Sequence, residues 1–506
     1  MAEYDRIETE TETHRLEKAV RSLVEGARLP LGRGHVELSP VDGVHETPGG
    51  QLLLTLIVHL LARMKGLVSH ISIVGATEAP RMEGVPLPGR KLIEGLNRLV
   101  ESLSGPASEY TTQFRLGRSA QEPDVRLALG SRTSGPVDLL LGSDAWRALL
   151  GSHARDSRWT DRCPLGPYLS ACLAASEVFK RLLRINFGWS EGEFLSDLAF
   201  SLLNYEDGET AQVGPDISEL ILSDLAVAGA GAGGTASLYT LASFPQLAGQ
   251  LTVVEPGNLK ISNLGRYLMS DYQQVHDGVS KLSSVQSFLS SFAPDLTVGP
   301  HVGHWHEVKR RWGTVICTVD TPEGRWDVQT SNPRSIIEAG VMRLLYSVLR
   351  VVPGGWCLEC KCPKDPDVTW KRRALRWGLS VEEVRRRHAE RTSVTEEDLA
   401  RLAEVQGRPV DDYAPLLGIP FDEVPSITEC GETPLLLGVP SQAPILPLVT
   451  TAAGILIAGE VVKETLGITP TLNNVFEHDL RFPPRARNQR FRRRLDNCPA
   501  CQGPLA

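Results

Sequence analysis

The sequence has no excess of positive charge, no long unbroken apolar run and little cysteine. Lysine and arginine number 53 against 61 aspartates and glutamates, a net charge of −8. That balance argues against nucleic acid as the default partner. The most apolar stretch, Ile445 to Val462, contains Pro447 and Glu460, and reads as a buried core helix, not a membrane span. The opening MAEYDRIETETETHRLEKAV is acidic and helical in pattern, without the apolar centre of a signal peptide. The expectation is a cytoplasmic protein that binds neither membrane nor nucleic acid. Nine cysteines in a cytosolic chain of 506 residues read as metal ligands, nucleophiles or buried thiols before they read as disulfides. The apolar fraction of 42% and charged fraction of 23% are those of a globular chain long enough for two or more cores.

The richest stretch is LAVAGAGAGGTASLYTLASFPQLAGQLTVVEPGNLKISNLGR, Leu225 to Arg266. Leu225 to Ala228 suits a buried parallel strand. Gly229, Gly231 and Gly234 follow as GxGxxG, a turn that lets a phosphate approach the backbone and the next helix N-terminus. Leu251 to Val254 is a second strand, and Glu255 at its end can accept both hydroxyls of a ribose.

A fainter version of this order comes earlier. His35 to Leu38 is a predicted strand, Gln51 to Met64 an apolar helix opened by Gly49 and Gly50, and Val68 to Val74 another strand. Its turn lacks GxGxxG. Asp124 to Leu129 and Val137 to Leu141 are strand-like, as are Leu296 to Val298 and Thr314 to Val319 later. The helix YLSACLAASEVFKRLL, Tyr168 to Leu183, has a counterpart in TTAAGILIAGEVVKETL, within Leu448 to Leu466. The expectation is a tandem duplication of one α/β nucleotide-binding fold whose first copy has decayed. Lys364 to Glu429 is a charged helical insertion; its arginine clusters, like Arg485 to Arg494, read first as solvated helix faces.

After Glu255, the segment Ser262-Asn263-Leu264-Gly265-Arg266, then Gly278-Val279-Ser280-Lys281, then ICTVD ending at Asp320 and TPEGR, resembles the ThiF/MoeB superfamily, which includes the ubiquitin-activating enzymes. The resemblance is strong over residues 220–364 and 430–506 and faint over the first 215. It implies tandem Rossmann-like adenylation folds, the first degenerate and the second active, with a helical insertion and a structural zinc site. The implied divisions are 1–215, 216–364, 365–429 and 430–506. The chemistry suits the residues independently. Joining a carboxylate to the α-phosphate of ATP crowds negative charge onto one phosphorus; Arg266 and Lys281 can stabilise it, with Asn263 as a neutral donor. Asp320 can hold Mg²⁺ through one carboxylate.

Cys357-Leu358-Glu359-Cys360 and Cys498-Pro499-Ala500-Cys501 are two CxxC pairs, able together to enclose one Zn²⁺; Cys362 is a competing ligand. ThiF/MoeB-like proteins often place one CxxC at each position. Cys430, in TECGETP, lies where several superfamily members carry the cysteine that attacks the acyl-adenylate, although Glu429 and Glu432 oppose a thiolate. Cys163, Cys172 and Cys317 read as core.

The degenerate first half aligns the resemblance with the ubiquitin-activating branch, in particular with bacterial members found beside conjugation-type partners, and with bacterial defence. It implies an enzyme that adenylates the C-terminus of a ubiquitin-like protein, passes it to a cysteine as a thioester and works with a conjugating enzyme. A homodimer stays open. The alternatives are a sulfur-carrier adenylyltransferase, an NAD(P)-dependent oxidoreductase and a non-catalytic binding protein. SNLGR, Gly-x-x-Lys and the paired CxxC separate the first reading from the nicotinamide one.

Overall fold

The computed structural model describes residues 34–501 apart from 106–107, 109, 133–134, 343, 365, 407–409, 411–412, 414–415, 419–420, 422–445, 473 and 496–497, together with Leu16, Glu17, Val20, Leu23 and Val24. Of the expected opening helix, Leu16 and Val20 are buried at i, i+4 spacing. Residues 1–355 and 442–493 form one unit, and 356–441 and 494–504 a second.

The first unit holds two sheets. In the first, β1 (His35–Pro40), α1 (Pro48–Arg63), β2 (His70–Ile73), α2 (Leu92–Ser102), β3 (Gln113–Leu116), β4 (Val125–Leu129), β5 (Leu139–Asp144), β6 (Arg147–Leu150), α3 (Leu165–Phe187) and β7 (Leu198–Ser201) give the order β3-β2-β1-β4-β5-β6-β7. The second comprises β8 (Glu219–Ala228), α4 (Ala232–Leu241), β9 (Gln246–Val254), α5 (Lys281–Phe292), β10 (Leu296–His301), β11 (Thr314–Cys317), α6 (Pro322–Thr330), β12 (Ser335–Met342) and β13 (Leu345–Arg350). After the helical unit come α10 (Pro447–Thr465), β14 (Val475–Asp479) and β15 (Gln489–Arg490), in the order β10-β9-β8-β11-β12-β13-β14-β15. Over seven strands the two sheets have the same order and directions. Five strands are parallel, the sixth pairs antiparallel with the fifth, and the seventh pairs antiparallel with the sixth.

Burial explains the strand patterns. Leu225 to Ala228 is covered on both faces, as a central parallel strand requires. β8 is longer than its apolar run; Asp224, at φ 51°, lies where the register with β9 shifts, between Leu222 and Leu225. α3 and α10 occupy equivalent places between the sixth and seventh strands, and each carries Glu-Val-x-Lys. Lys463 Nζ lies 2.7 Å from Glu460 Oε1, both fully buried; Lys180 pairs with Glu177 in the same way. Burial pulls both lysine pKa values down, against the nearby carboxylates. The bonds cross between halves: Ser176 Oγ donates to Leu480 O at 3.1 Å and Thr471 Oγ1 to Leu203 O at 2.6 Å. No helix among the described residues is long and apolar enough to cross a membrane. α10, which contains most of the apolar segment, is core from Pro447 to Val462, and Ile445 lies outside the described residues.

The second unit contains α7 (Pro366–Trp377), α8 (Val381–Glu390) and α9 (Glu396–Gln406), packed on a small core that includes Trp377, Val384, Leu402 and Phe421. Its arginines are largely spent on its own acids: Arg387 meets Asp398 at 2.7 Å and Arg386 meets Glu383 at 2.7 Å. The first CxxC belongs to this unit, since the chain divides between Gly355 and Trp356.

Candidate functional site

β8 runs directly into the glycine turn. Gly229 has φ +91°, where a side chain is strained, and its N–H donates to Val254 O at 2.9 Å. A Cβ on Gly234 would lie 2.3 Å from Gly229 O, so only glycine lets α4 begin this close. α4 has Gly231 as its N-cap and no side-chain cap. Its first N–H groups are therefore available to an anion. The first half closes the corresponding turn. Thr47 Oγ1 accepts from the Gly50 N–H at 3.2 Å, and the Gly49 N–H donates to Trp159 O at 3.0 Å. With Pro48 contributing no N–H, α1 offers no equivalent anion site.

Glu255 ties the turn to the following loop. Its Oε2 accepts from the Ala230 N–H at 2.8 Å; its Oε1 accepts from the Gly257 N–H at 2.8 Å and from Lys281 Nζ at 3.1 Å. A carboxylate has about four acceptor positions, so capacity for one further donor remains where the sequence suggested two ribose hydroxyls. Glu255→Ala is expected to keep the fold, because the residue ends a strand, and to weaken ATP binding about ten- to a hundredfold by loss of charged hydrogen bonds. Unchanged affinity by calorimetry would remove Glu255 from the site.

Tyr267 lies between two cations: the Arg266 guanidinium is 5.7 Å and Lys281 Nζ 5.8 Å from its ring centroid. Burial alone would lower the Lys281 pKa, but Tyr267 and Glu255 outweigh it and raise the value. Arg266 Nε is buried without a hydrogen-bond partner, an unmet donor beside the cleft. β11 ends at Cys317, two residues before the predicted strand end; beyond it the Thr318 hydroxyl donates to Gly229 O at 2.6 Å. Asp320 is exposed beyond it, and Thr321, not Asp320, caps α6.

Gly229, Gly231, Glu255, Arg266, Lys281 and Asp320 line one cavity of about 450 Å³. Gly234 and Asn263 do not line it. Asn263 instead uses its side-chain oxygen to accept the Lys260 N–H at 2.9 Å, shaping the turn that carries Arg266. Sequence reasoning missed His304, His306 and Asp327, which also line the cavity. The two histidine rings stack 5.7 Å apart at 10°, and His306 Nδ1 is 3.5 Å from Asp327 Oδ2. The available signal was GHWHE, with two histidines flanking a tryptophan just after a strand. The uncapped helix, the unmet Arg266 donor and the paired cations fit a triphosphate, and Asp320 has the carboxylate type that Mg²⁺ uses.

In the second unit, the sulfurs of Cys357, Cys360, Cys498 and Cys501 lie within 4.8 Å of one another. Cys357 and Cys498 are 3.6 Å apart, and Cys360 and Cys501 3.5 Å. Disulfides would need about 2.05 Å, whereas tetrahedral Zn–S bonds of about 2.3 Å put sulfurs about 3.8 Å apart. The Cys360 N–H donates to Cys357 Sγ and the Leu495 N–H to Cys360 Sγ, each at 3.3 Å. The cluster fits zinc, and Cys362 is outside it. Cys430 lies outside the described residues. Burial pushes the Cys163 and Cys172 thiols up and Cys317 is buried; no described cysteine lines the cavity.

A curated relative, the uncharacterized protein y4jF of Sinorhizobium fredii (strain NBRC 101917 / NGR234), is 25% identical over 441 residues, covering 83% of this chain and 80% of that protein. Among solved structures, selenomethionine PaaA is 19% identical over 25% of this chain and 40% of that one, with a TM-score of 0.22. E. coli MccB with MccA-N7isoASN is 13% identical over 56% of this chain and 68% of that one, with a TM-score of 0.33. The ThiF family model matches residues 210–500, the span that carries the glycine turn, both cleft cations, Asp320 and three of the four clustered cysteines, so the chain belongs to the ThiF family.

Proposed function

We propose that the chain is an activating enzyme: with ATP it adenylates the C-terminal carboxylate of a ubiquitin-like protein, then transfers the acyl group to a cysteine. The observation that carries this reading is the convergence of the uncapped α4 N-terminus with Arg266, Lys281 and Asp320 on one cavity. In the first step a carboxylate oxygen attacks the α-phosphorus, the new P–O bond forms, and pyrophosphate leaves with the electrons of the broken one. Arg266 and Lys281 stabilise the charge that gathers there. Asp320 would hold Mg²⁺, which supplies charge neutralisation on the departing phosphates. In the second step the Cys430 thiolate attacks the acyl carbon and AMP leaves.

Residues 1–215 are, in this reading, an inactive copy beside the active one at 216–364 and 430–506, with 365–429 inserted. The shared strand order and the capped α1 N-terminus support it. A conjugating enzyme would receive the product in the cytoplasm.

The test is pyrophosphate exchange with candidate carrier proteins, run beside gel detection of a thiol-sensitive adduct. Cys430→Ala should retain exchange within a few-fold, because the cations are elsewhere, and should lose the adduct. An adduct that persists moves the nucleophile, with Cys362 next. Wild type that exchanges without forming an adduct favours the sulfur-carrier reading.

A further inference from the structure

The first half contributes one side chain directly to the loop that bears Arg266. Arg63 is the last residue of α1 and is buried, only 3% exposed. An arginine at a helix C-terminus ordinarily bonds its own last carbonyls or faces water. This one leaves its helix. Its guanidinium donates to Leu264 O, to Leu268 O at 3.3 Å and to Ser270 O at 2.8 Å. Those three carbonyls bracket Arg266 and Tyr267. A fourth bond goes to His59 Nε2 at 2.9 Å, one helical turn back. Arg63 can only donate, so His59 Nε2 is the acceptor and its proton sits on Nδ1, 3.4 Å from Tyr239 OH. Burial holds the His59 pKa well below its ordinary value, which keeps the ring neutral and this tautomer in place.

The loop has few other restraints of this kind. Ser284 Oγ of α5 donates to Met269 O at 2.9 Å, and Asn263 shapes the turn before it. A flat fork with several donors can bridge carbonyls from three separate residues; a lysine ammonium, a point charge on a flexible stem, cannot hold the same plane. Burying a cation among carbonyl dipoles is costly unless every acceptor is well placed, so the arrangement fixes the loop as firmly as the loop fixes the arginine.

We propose that Arg63 is a positioning residue for the adenylation cleft: it clamps the carbonyls of Leu264, Leu268 and Ser270 and thereby sets where Arg266 and Tyr267 stand. The kinetic part of this inference rests on the adenylation reading; the clamp itself does not. It also gives the first half a task in the chemistry of the second, though its own turn is closed to anions.

The experiment compares wild type, Arg63→Lys and Arg63→Gln by backbone amide exchange and by pyrophosphate exchange. Arg63→Lys should speed amide exchange at least tenfold within residues 262–270 and leave β8 and β11 protected. It should lower the kcat of pyrophosphate exchange about ten- to a hundredfold, with the KM for ATP within a few-fold. In an Arg266→Ala background the same substitution should cost no more than about twofold, because the residue it positions is gone. Amide exchange unchanged over 262–270 would overturn the clamp. Loss of protection across β8 and β11 in both variants would overturn it too, showing a general core role; Arg63→Gln, which keeps a two-donor amide without charge, provides this reading if Arg63→Lys does not accumulate. A full kinetic penalty retained in Arg266→Ala would overturn the positioning role. If wild type shows no pyrophosphate exchange with any carrier, the adenylation reading fails, while amide exchange still decides whether Arg63 holds the loop.

Discussion

Arg266→Ala is expected to lower pyrophosphate exchange about a hundred- to a thousandfold, the usual cost of losing one preorganised donor, about 2.7–4 kcal/mol in the transition state. The expectation follows from where the side chain stands. Arg266 lines the cavity, its Nε has no hydrogen-bond partner among the described residues, and Tyr267 has Arg266 and Lys281 both over its ring. A donor that the folded protein leaves unmet is worth most when charge develops beside it. ATP affinity should change far less than the rate, since the amides of α4 and the Lys281 ammonium remain. Arg266→Lys should restore little, because a point charge cannot reproduce the planar fork. Exchange within a few-fold of wild type in Arg266→Ala would contradict the role given to it.

Removing zinc should have the second largest effect, and it should fall on the helical unit. Metal analysis of protein purified without chelator should find one zinc per chain, held by Cys357, Cys360, Cys498 and Cys501; finding none would sink the assignment. The apolar cluster under the helices of that unit is small, with Trp377, Val384, Leu402 and Phe421 among its members, and so small a core is marginal alone. Structural zinc contributes about 10–16 kcal/mol to comparable small sites. Chelation or Cys498→Ala should therefore unfold the helical unit and lower the melting temperature, while adenylation per folded molecule declines less. Equal loss of both would mean that the metal also serves the cleft.

Apolar runs located several of the parallel strands, with Leu225–Ala228, Leu251–Val254 and Asp124–Leu129 falling in or at strands, while the parallel β3 and β12 were not predicted. The antiparallel strands β6, β7, β13 and β14 escaped notice. They are short, and β14 carries Glu477 and His478 into the interior, where Arg492 and Tyr346 satisfy them. Buried polar residues with distant partners disguise a strand as a loop. At the site, the sequence pattern named Gly229, Gly231, Glu255, Arg266, Lys281 and Asp320, which share one cavity, but not the rest of its lining. Asn263 was read as a donor to phosphate; its side-chain oxygen accepts the Lys260 N–H, and the residue does not line the cavity. His304, His306 and Arg63 were missed for a different reason: their roles come from neighbours brought near by the sheet and by the other half. An arginine closing an apolar helix reads as a surface charge until the carbonyls opposite it are known.

The crossed bonds between the halves set a timetable. Ser176 of the first half finds its acceptor at Leu480, and the pair spans 304 residues. At translation speeds of about 5–20 residues per second, roughly 15–60 s pass between synthesis of the two ends. During that interval the Ser176 hydroxyl of α3 lacks the Leu480 carbonyl, which has not yet been made. The first half therefore leaves the ribosome as an unfinished surface awaiting the tail of its own chain, and lesions near residue 480 should show themselves as failures of a half completed some 300 residues earlier.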